Sequence, residues 1–117
     1  MEFEYDIKEK DGINVITIKG NLIEKGQAGK LMEEIEEKVL DNSNKFVINM
    51  TDFKYMNSTG LNVLVNILTK ARKSGGEAVI CCMPNKIKEL LVITKLNTVF
   101  NIADDLENAL KQINNLN

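Results

Sequence analysis

The sequence predicts an α/β fold with a mixed central β-sheet of about five strands, opened by a hairpin, and about four helices packed on it. Three observations predict this fold. Alternating β-branched segments open the chain, short continuous apolar runs follow, and segments with helical spacing stand between those runs. Continuous apolar runs are typical of strands buried on both faces, as in a sheet covered by helices. The alternation of strand and helix implies right-handed crossovers and parallel central strands.

The opening hairpin is predicted from two alternating segments, residues 3–7 and 13–18, which are rich in strand-forming residues. Lys10, Asp11 and Gly12 lie between them and form a turn signal. After the hairpin, the pattern changes to helical spacing over residues 25–40. The inward positions of this helix are Ala28, Leu31, Met32, Ile35 and Val39. Its glutamates fall on the opposite face and are explained as a solvated surface.

The remaining elements follow from the same criteria. Residues 46–50 form a short apolar run, which predicts a buried strand. The elements after it are predicted at residues 58–73 (helix), 78–83 (strand), 86–93 (helix), 99–102 (strand) and 104–113 (helix). Gly75 and Gly76 end the helix 58–73, and Pro84 stands where the next helix can begin. The tail 114–117 is expected to be frayed.

Length and composition limit the classes of function. The chain has 117 residues and a net charge of −2, which suits a single domain (1–117) and offers no basic patch for nucleic acid. The first six residues contain neither a basic start nor an apolar run, so no signal peptide is predicted. Apolar stretches stop well before the roughly 18 residues that a membrane helix needs. We therefore expect a cytoplasmic protein without direct membrane insertion.

Catalytic and metal-binding residues are scarce. The chain contains no histidine, so a serine nucleophile would lack its usual base, and zinc would lack ligands. Nucleophile-elbow and P-loop spacings are also absent. Cys81 and Cys82 are adjacent; if both belonged to the strand 78–83, their side chains would point to opposite faces and a disulfide would be strained. The sequence therefore predicts no enzyme, no metal and no cofactor.

The segment with the strongest functional signal is residues 49–61. A buried strand ends there, a short loop follows, and a helix begins at or near Ser58. In an α/β sheet this places Ser58 at the carboxyl end of a strand, where ligands usually bind. Free backbone N–H groups at the helix start would stabilise a phosphate on its hydroxyl. The simpler alternative is that Ser58 or Asn57 only caps the helix. Gly60 would allow a backbone or a phosphate to approach closely.

This segment, DFKYMNSTGL at residues 52–61, resembles the STAS domain of anti-sigma factor antagonists. The resemblance extends over nearly the whole chain and includes residues 19–22, 75–77 and 90–100. It implies a partner-switching cycle. The unmodified protein would bind an anti-sigma factor that is also a serine kinase. That kinase would use ATP to phosphorylate the motif serine, which corresponds to Ser58. Binding would then be lost until a serine phosphatase restored it.

Two positions depart from the family pattern. Asn57 stands where the family usually has an acid, and Ile23 replaces another acid, with Glu24 one place later. Both acids would lie near the serine in the family's fold, so their absence bears on kinase recognition more than on the fold. Asn57 keeps the capping ability of Asp without its charge.

The resemblance also implies a set of partner-binding residues. They are Asn21, Glu24, Met56, Asn57, Ser58, Thr59, Gly60 and Leu61. Thr59 is the alternative phosphate acceptor, and Met56 and Leu61 are assigned either to partner contact or to the core. The alternative function is an unphosphorylated STAS subunit of a signalling scaffold or of a lipid or anion transporter.

Overall fold

The structure is a computed structural model that describes residues 2–116. Within these residues the chain forms six strands and four α-helices. In chain order they are β1 (Glu4–Lys10), β2 (Ile13–Leu22), α1 (Gly29–Leu40), β3 (Lys45–Asn49), β4 (Phe53–Met56), α2 (Ser58–Lys73), β5 (Glu77–Cys81), α3 (Asn85–Ile93), β6 (Asn101–Ala103) and α4 (Leu106–Asn114). Two 3₁₀ turns, Lys25–Ala28 and Leu96–Thr98, precede α1 and β6. The predicted mixed α/β fold is confirmed.

The sheet has the order β1-β2-β3-β5-β6, with β4 paired to β2 beyond the end of β3. β1 and β2 are antiparallel, and all other pairs are parallel. The opening hairpin turns at Asp11 and Gly12, whose φ angles of 53° and 81° are both positive. Two consecutive positive φ angles suit a tight hairpin turn, because its twist matches that of the strands.

Helices cover both faces of the sheet. Leu31 and Ile35 of α1 and Leu64 and Ile67 of α2 pack in the larger core with Ile16 and other even-numbered positions of β2 and β3. The opposite face is smaller: there α4 covers apolar side chains of β3, β5 and β6. The continuous apolar runs of β3 and β5 therefore reflect burial on two faces, as the sequence predicts.

Several boundaries differ from the prediction. The segment predicted as a helix over 25–40 begins as the 3₁₀ turn Lys25–Ala28. The strand predicted at 99–102 lies at Asn101–Ala103, after the second 3₁₀ turn. The strand predicted at 78–83 ends at Cys81. In the tail, Asn114 belongs to α4, and Asn117 lies outside the described residues.

β4 is a strand that the sequence does not predict. It has four residues, of which the central pair Lys54 and Tyr55 is exposed and the outer pair is buried. It continues the direction of β3 after the turn at Met50, and pairs with Gly20 to Leu22 at the end of β2. β4 thus links the buried centre of the sheet to the first residue of α2. None of the helices described within residues 2–116 has the length and apolarity to cross a bilayer.

Candidate functional site at the start of α2

Ser58 is the first residue of α2, and only Asn57 separates it from the carboxyl end of β4. Its side chain is exposed, and helix α2 runs from Ser58 to Lys73 as predicted. The first turn of a helix presents backbone N–H groups and a partial positive charge, which favour an anion. The position therefore combines an accessible hydroxyl with an environment that stabilises added negative charge.

Asn57 is the residue that caps this helix. Its Oδ1 accepts hydrogen bonds from the backbone N–H groups of Thr59 (3.0 Å) and Gly60 (3.2 Å). The sequence is compatible with either Asn57 or Ser58 as the helix cap, and the geometry assigns the cap to Asn57. Ser58 is consequently free of the capping role, and its hydroxyl is not used to hold the helix start.

The other end of the Asn57 amide makes a second link. Nδ2 donates to the backbone carbonyl of Ile23 at 3.1 Å, which ties the start of α2 to the loop after β2. A carboxylate could keep the cap, but it has no hydrogen to donate to a carbonyl. The asparagine at this position therefore has a structural use that the acid typical of the family could not fulfil.

Gln27 organises the loop to which Asn57 is tied. Its Oε1 accepts from the N–H groups of Ile23 (2.9 Å) and Glu24 (3.0 Å), while its Nε2 donates to the carbonyl of Asn21 (3.3 Å). Sequence reasoning missed this residue. The available signal was the spacing of Glu24 and Gln27, since a glutamine three residues after a helix cap is a recognised start signal.

The structure thus brings the predicted residues Asn21 and Glu24 into the loop beside the start of α2. Glu24 is exposed, and Asn21 is partly buried in β2, where it pairs with Tyr55 of β4. Thr59 is partly exposed. These residues, together with Asn57 and Ser58, form one continuous end of the molecule, which we call the α2 start surface; its full members are Asn21, Ile23, Glu24, Tyr55, Asn57, Ser58 and Thr59.

Three of the predicted partner-binding residues face inward. Met56 is fully buried, and Leu61 is only 5% exposed, so both belong to the core. A side chain at position 60 would place its Cβ 2.5 Å from the carbonyl oxygen of Leu22 and 2.6 Å from the Cβ of Met56. The missing side chain at Gly60 therefore lets the backbone of β2 approach α2, and it does not open space for the backbone of a partner. Partner contact through Met56, Gly60 and Leu61 is corrected to a role in packing.

Two apolar side chains on the α2 start surface were not predicted as binding residues. Ile23 is 41% exposed and Tyr55 is 53% exposed. On the neighbouring side, a shallow groove between the 3₁₀ turn and α2 is lined by Lys25, Thr59 and Asn62, among others. The surface therefore offers apolar contact and amide and hydroxyl hydrogen-bonding groups, and the cation Lys25 lies in the neighbouring groove.

Metal-binding groups are not gathered at this end. Among residues 2–116, no three cysteine, aspartate or glutamate side chains lie close enough together to hold a metal ion. The functional groups that the α2 start surface does present are hydroxyls, amides, one carboxylate and exposed apolar side chains.

The fold defines a class: a small α/β domain in which an exposed serine begins a helix at the carboxyl edge of the sheet. A family profile for the STAS domain matches residues 4–109, so the chain belongs to the STAS domain family. It is 28% identical over 104 residues to the anti-sigma-B factor antagonist of Listeria monocytogenes, which covers 89% of this chain and 91% of that protein.

Solved structures share the fold. An anti-sigma factor antagonist from Mycobacterium paratuberculosis superposes with a TM-score of 0.82 at 20% identity, covering 97% of this chain and 95% of the other. The phosphorylated form of the Bacillus cell fate determinant SpoIIAA superposes with a TM-score of 0.73 at 12% identity, covering 94% of this chain and 99% of the other. At these identities the likeness concerns the fold.

Proposed function

We propose that this chain is an anti-sigma factor antagonist that binds an anti-sigma factor through the α2 start surface. The observation that carries the proposal is the exposed Ser58 at the first position of α2, next to a cap that leaves its hydroxyl unused. Membership of the STAS family and the similarity to the Listeria antagonist support it. In this role the protein is a binding partner in the cytoplasm and a substrate for modification, not a catalyst.

The proposed switch is phosphorylation of Ser58 by serine-kinase activity in the anti-sigma factor. The hydroxyl oxygen of Ser58 attacks the γ-phosphorus of ATP, ADP leaves, and the hydroxyl proton passes to a base of the kinase. A serine phosphatase hydrolyses the ester and restores the hydroxyl. The structurally similar SpoIIAA is known in a phosphorylated form, which supports phosphorylation as a property of this fold.

The physical effect of the phosphate explains how binding would be lost. A phosphoserine has a charge of about −1.5 to −2 at neutral pH, placed at a surface that must lose water when a partner docks. The partial positive charge of the helix start favours this charge in the free protein. Docking against the charged surface then costs the hydration of the phosphate. The free phosphorylated protein is favoured over its complex.

Ser58 is the preferred acceptor, and Thr59 is the alternative. Ser58 is exposed, whereas Thr59 is only partly exposed and its N–H is held by Asn57. A kinase must reach the hydroxyl oxygen, so accessibility favours Ser58. A Thr59→Ala variant is expected to retain full phosphorylation.

A calorimetric titration of the anti-sigma factor tests the proposal. Ser58→Asp is expected to weaken binding by about tenfold or more, equivalent to about 1.4 kcal/mol. The matched control is Thr69→Glu, which adds one negative charge to an exposed position on the same helix, away from its start. This control is expected to bind like the wild type. Equal affinities for Ser58→Asp and the wild type contradict the proposed switch.

A second candidate function is an unphosphorylated STAS subunit of a signalling scaffold or of a lipid or anion transporter. The observation that favours it is the exposed apolar side chain of Ile23, at the position where the family pattern has an acid. An affinity purification from the source cells separates the candidates. Recovery of an anti-sigma factor kinase supports the antagonist, and recovery of a scaffold or transporter subunit supports the alternative.

A further inference from the structure

The two adjacent cysteines are not both part of a strand. β5 ends at Cys81, and Cys82 has a φ angle of 64°. This angle lies in the left-handed region, which residues other than glycine rarely adopt. The expectation that both lie in a strand and point to opposite faces is therefore wrong for Cys82. The turned backbone places the two Sγ atoms 2.9 Å apart.

The two thiols have different surroundings. Cys81 is fully buried in the smaller core beside Val79, Ala103 and Ala109, whereas Cys82 is partly exposed. Burial, together with the nearby Cys82 and the charge of Asp105, raises the pKa of the Cys81 thiol above its usual range. Cys82 is thus the more accessible residue of the pair, and Cys81 is the buried one, whose raised pKa keeps its thiol protonated.

We propose that Cys81 and Cys82 are a reversible redox modification site, which hydrogen peroxide oxidises to an intramolecular disulfide. In the first step the sulfur of Cys82 attacks one peroxide oxygen, the O–O bond breaks, and Cys82 sulfenic acid and water are formed. In the second step the sulfur of Cys81 attacks the sulfur of Cys82 and the S–O bond of the sulfenic acid breaks. The departing hydroxide takes up the proton of the Cys81 thiol and leaves as water. Overall, two thiols and one peroxide give one disulfide and two waters.

The geometry indicates that this bond would be easily reduced. Disulfide-linked residues usually have Cα atoms about 4.4–6.8 Å apart, whereas neighbouring residues in a chain are fixed at about 3.8 Å. The ring closed by adjacent cysteines is therefore strained, and strained disulfides have more oxidising potentials and serve as labile bonds. The site is suited to reversible modification and not to permanent stapling.

Intact mass and thiol alkylation of the full chain test this proposal. After hydrogen peroxide treatment the reduced protein is expected to lose about 2 Da, the mass of two hydrogens, and to resist iodoacetamide at both thiols. Dithiothreitol is expected to restore both. Cys82→Ser is expected to show no such mass loss.

A variant of the buried partner completes the test. Cys81→Ala keeps a small apolar side chain in the core and leaves Cys82 without its resolving thiol, so Cys82 is expected to gain oxygen in steps of about 16 Da or to link two chains. Circular dichroism confirms that the variants are folded. Wild-type protein that gains oxygen atoms on Cys82, or forms dimers, without the intramolecular loss of two hydrogens overturns the proposal.

Discussion

The starts of α2 and α4 are capped by similar residues in different ways. At α4, Asp105 accepts from the N–H of Asn108 at 2.8 Å and from the side-chain amide of the same residue at 3.2 Å, so every bond stays within one turn. At α2, Asn57 accepts from two N–H groups and also donates to Ile23, 34 residues earlier in the chain. One cap only begins a helix, and the other also joins two loops.

This difference shows what a neutral amide contributes at the α2 start surface. A carboxylate is the better group for a helix start alone, because the helix dipole favours negative charge there. An amide is the better group where the same residue must also donate to a carbonyl. At Asn57 the amide makes a bond to Ile23 that a carboxylate could not make, and it places no charge next to Ser58.

The largest expected difference in stability is between changes at the third residue of α2, Gly60, and the third residue of α4, Asn108. Gly60→Ala is expected to lower the free energy of unfolding by about 3 kcal/mol, because the added methyl group would overlap the carbonyl of Leu22 and the side chain of Met56. Helix propensity alone predicts the opposite, a gain of about 1 kcal/mol. The matched change in α4, Asn108→Ala, lies on an exposed residue and is expected to have little effect. Urea denaturation measures both, and a stabilised Gly60→Ala would refute the close approach.

Removal of each cap gives the next contrast. Asn57→Ala is expected to cost about 2 kcal/mol, since it removes both the cap and the bond to Ile23, whereas Asp105→Ala is expected to cost about 1 kcal/mol. Thermal or urea unfolding of the two variants provides the comparison. Equal losses would indicate that the bond to Ile23 contributes nothing to stability.

The smallest expected difference in stability is between Asn57→Asp and Asp105→Asn, which exchange the two cap residues. Asn57→Asp retains the cap but places a carboxylate against the carbonyl of Ile23, so we expect a loss of about 1 kcal/mol even though the helix dipole favours the charge. Asp105→Asn retains the backbone cap on the N–H of Asn108 and loses only the exposed side-chain bond at 3.2 Å, because an amide nitrogen cannot accept it. It is expected to change stability by about 0.5 kcal/mol or less. The same denaturation measurements apply. If Asn57→Asp were the more stable protein, the amide would have no structural advantage over the acid.

The elements with a strong local pattern were predictable from the sequence. The helix 58–73 was predicted with its observed bounds, because glycines mark its end and a polar cap precedes its apolar stripe. β4 was not predictable in this way. It has only four residues, two of them exposed, and it exists because the end of β2 offers an unpaired edge. Such pairing depends on tertiary structure, and no local periodicity records it.

The candidate site likewise combines features that the local sequence pattern predicts with features that it does not predict. The exposed position of Ser58 at a helix start was predictable, because a strand, a short loop and a helix follow one another there. The roles of Gly60 and Cys82 were not. The space at Gly60 is occupied by a β2 residue 38 positions earlier, and the left-handed backbone at Cys82 lies where a continuous apolar run favours a strand. Contacts distant in sequence and single-residue backbone turns leave no signal in composition.

The central claim is that Ser58 is the phosphorylated residue of a partner switch. The most direct measurement is the intact mass of the protein isolated from its own cells, beside Ser58→Ala and Thr59→Ala versions expressed in the same cells. We expect a phosphate-sized increase in the wild type and in Thr59→Ala, and none in Ser58→Ala. An increase that persists in Ser58→Ala, or the absence of any increase in every growth condition, contradicts it.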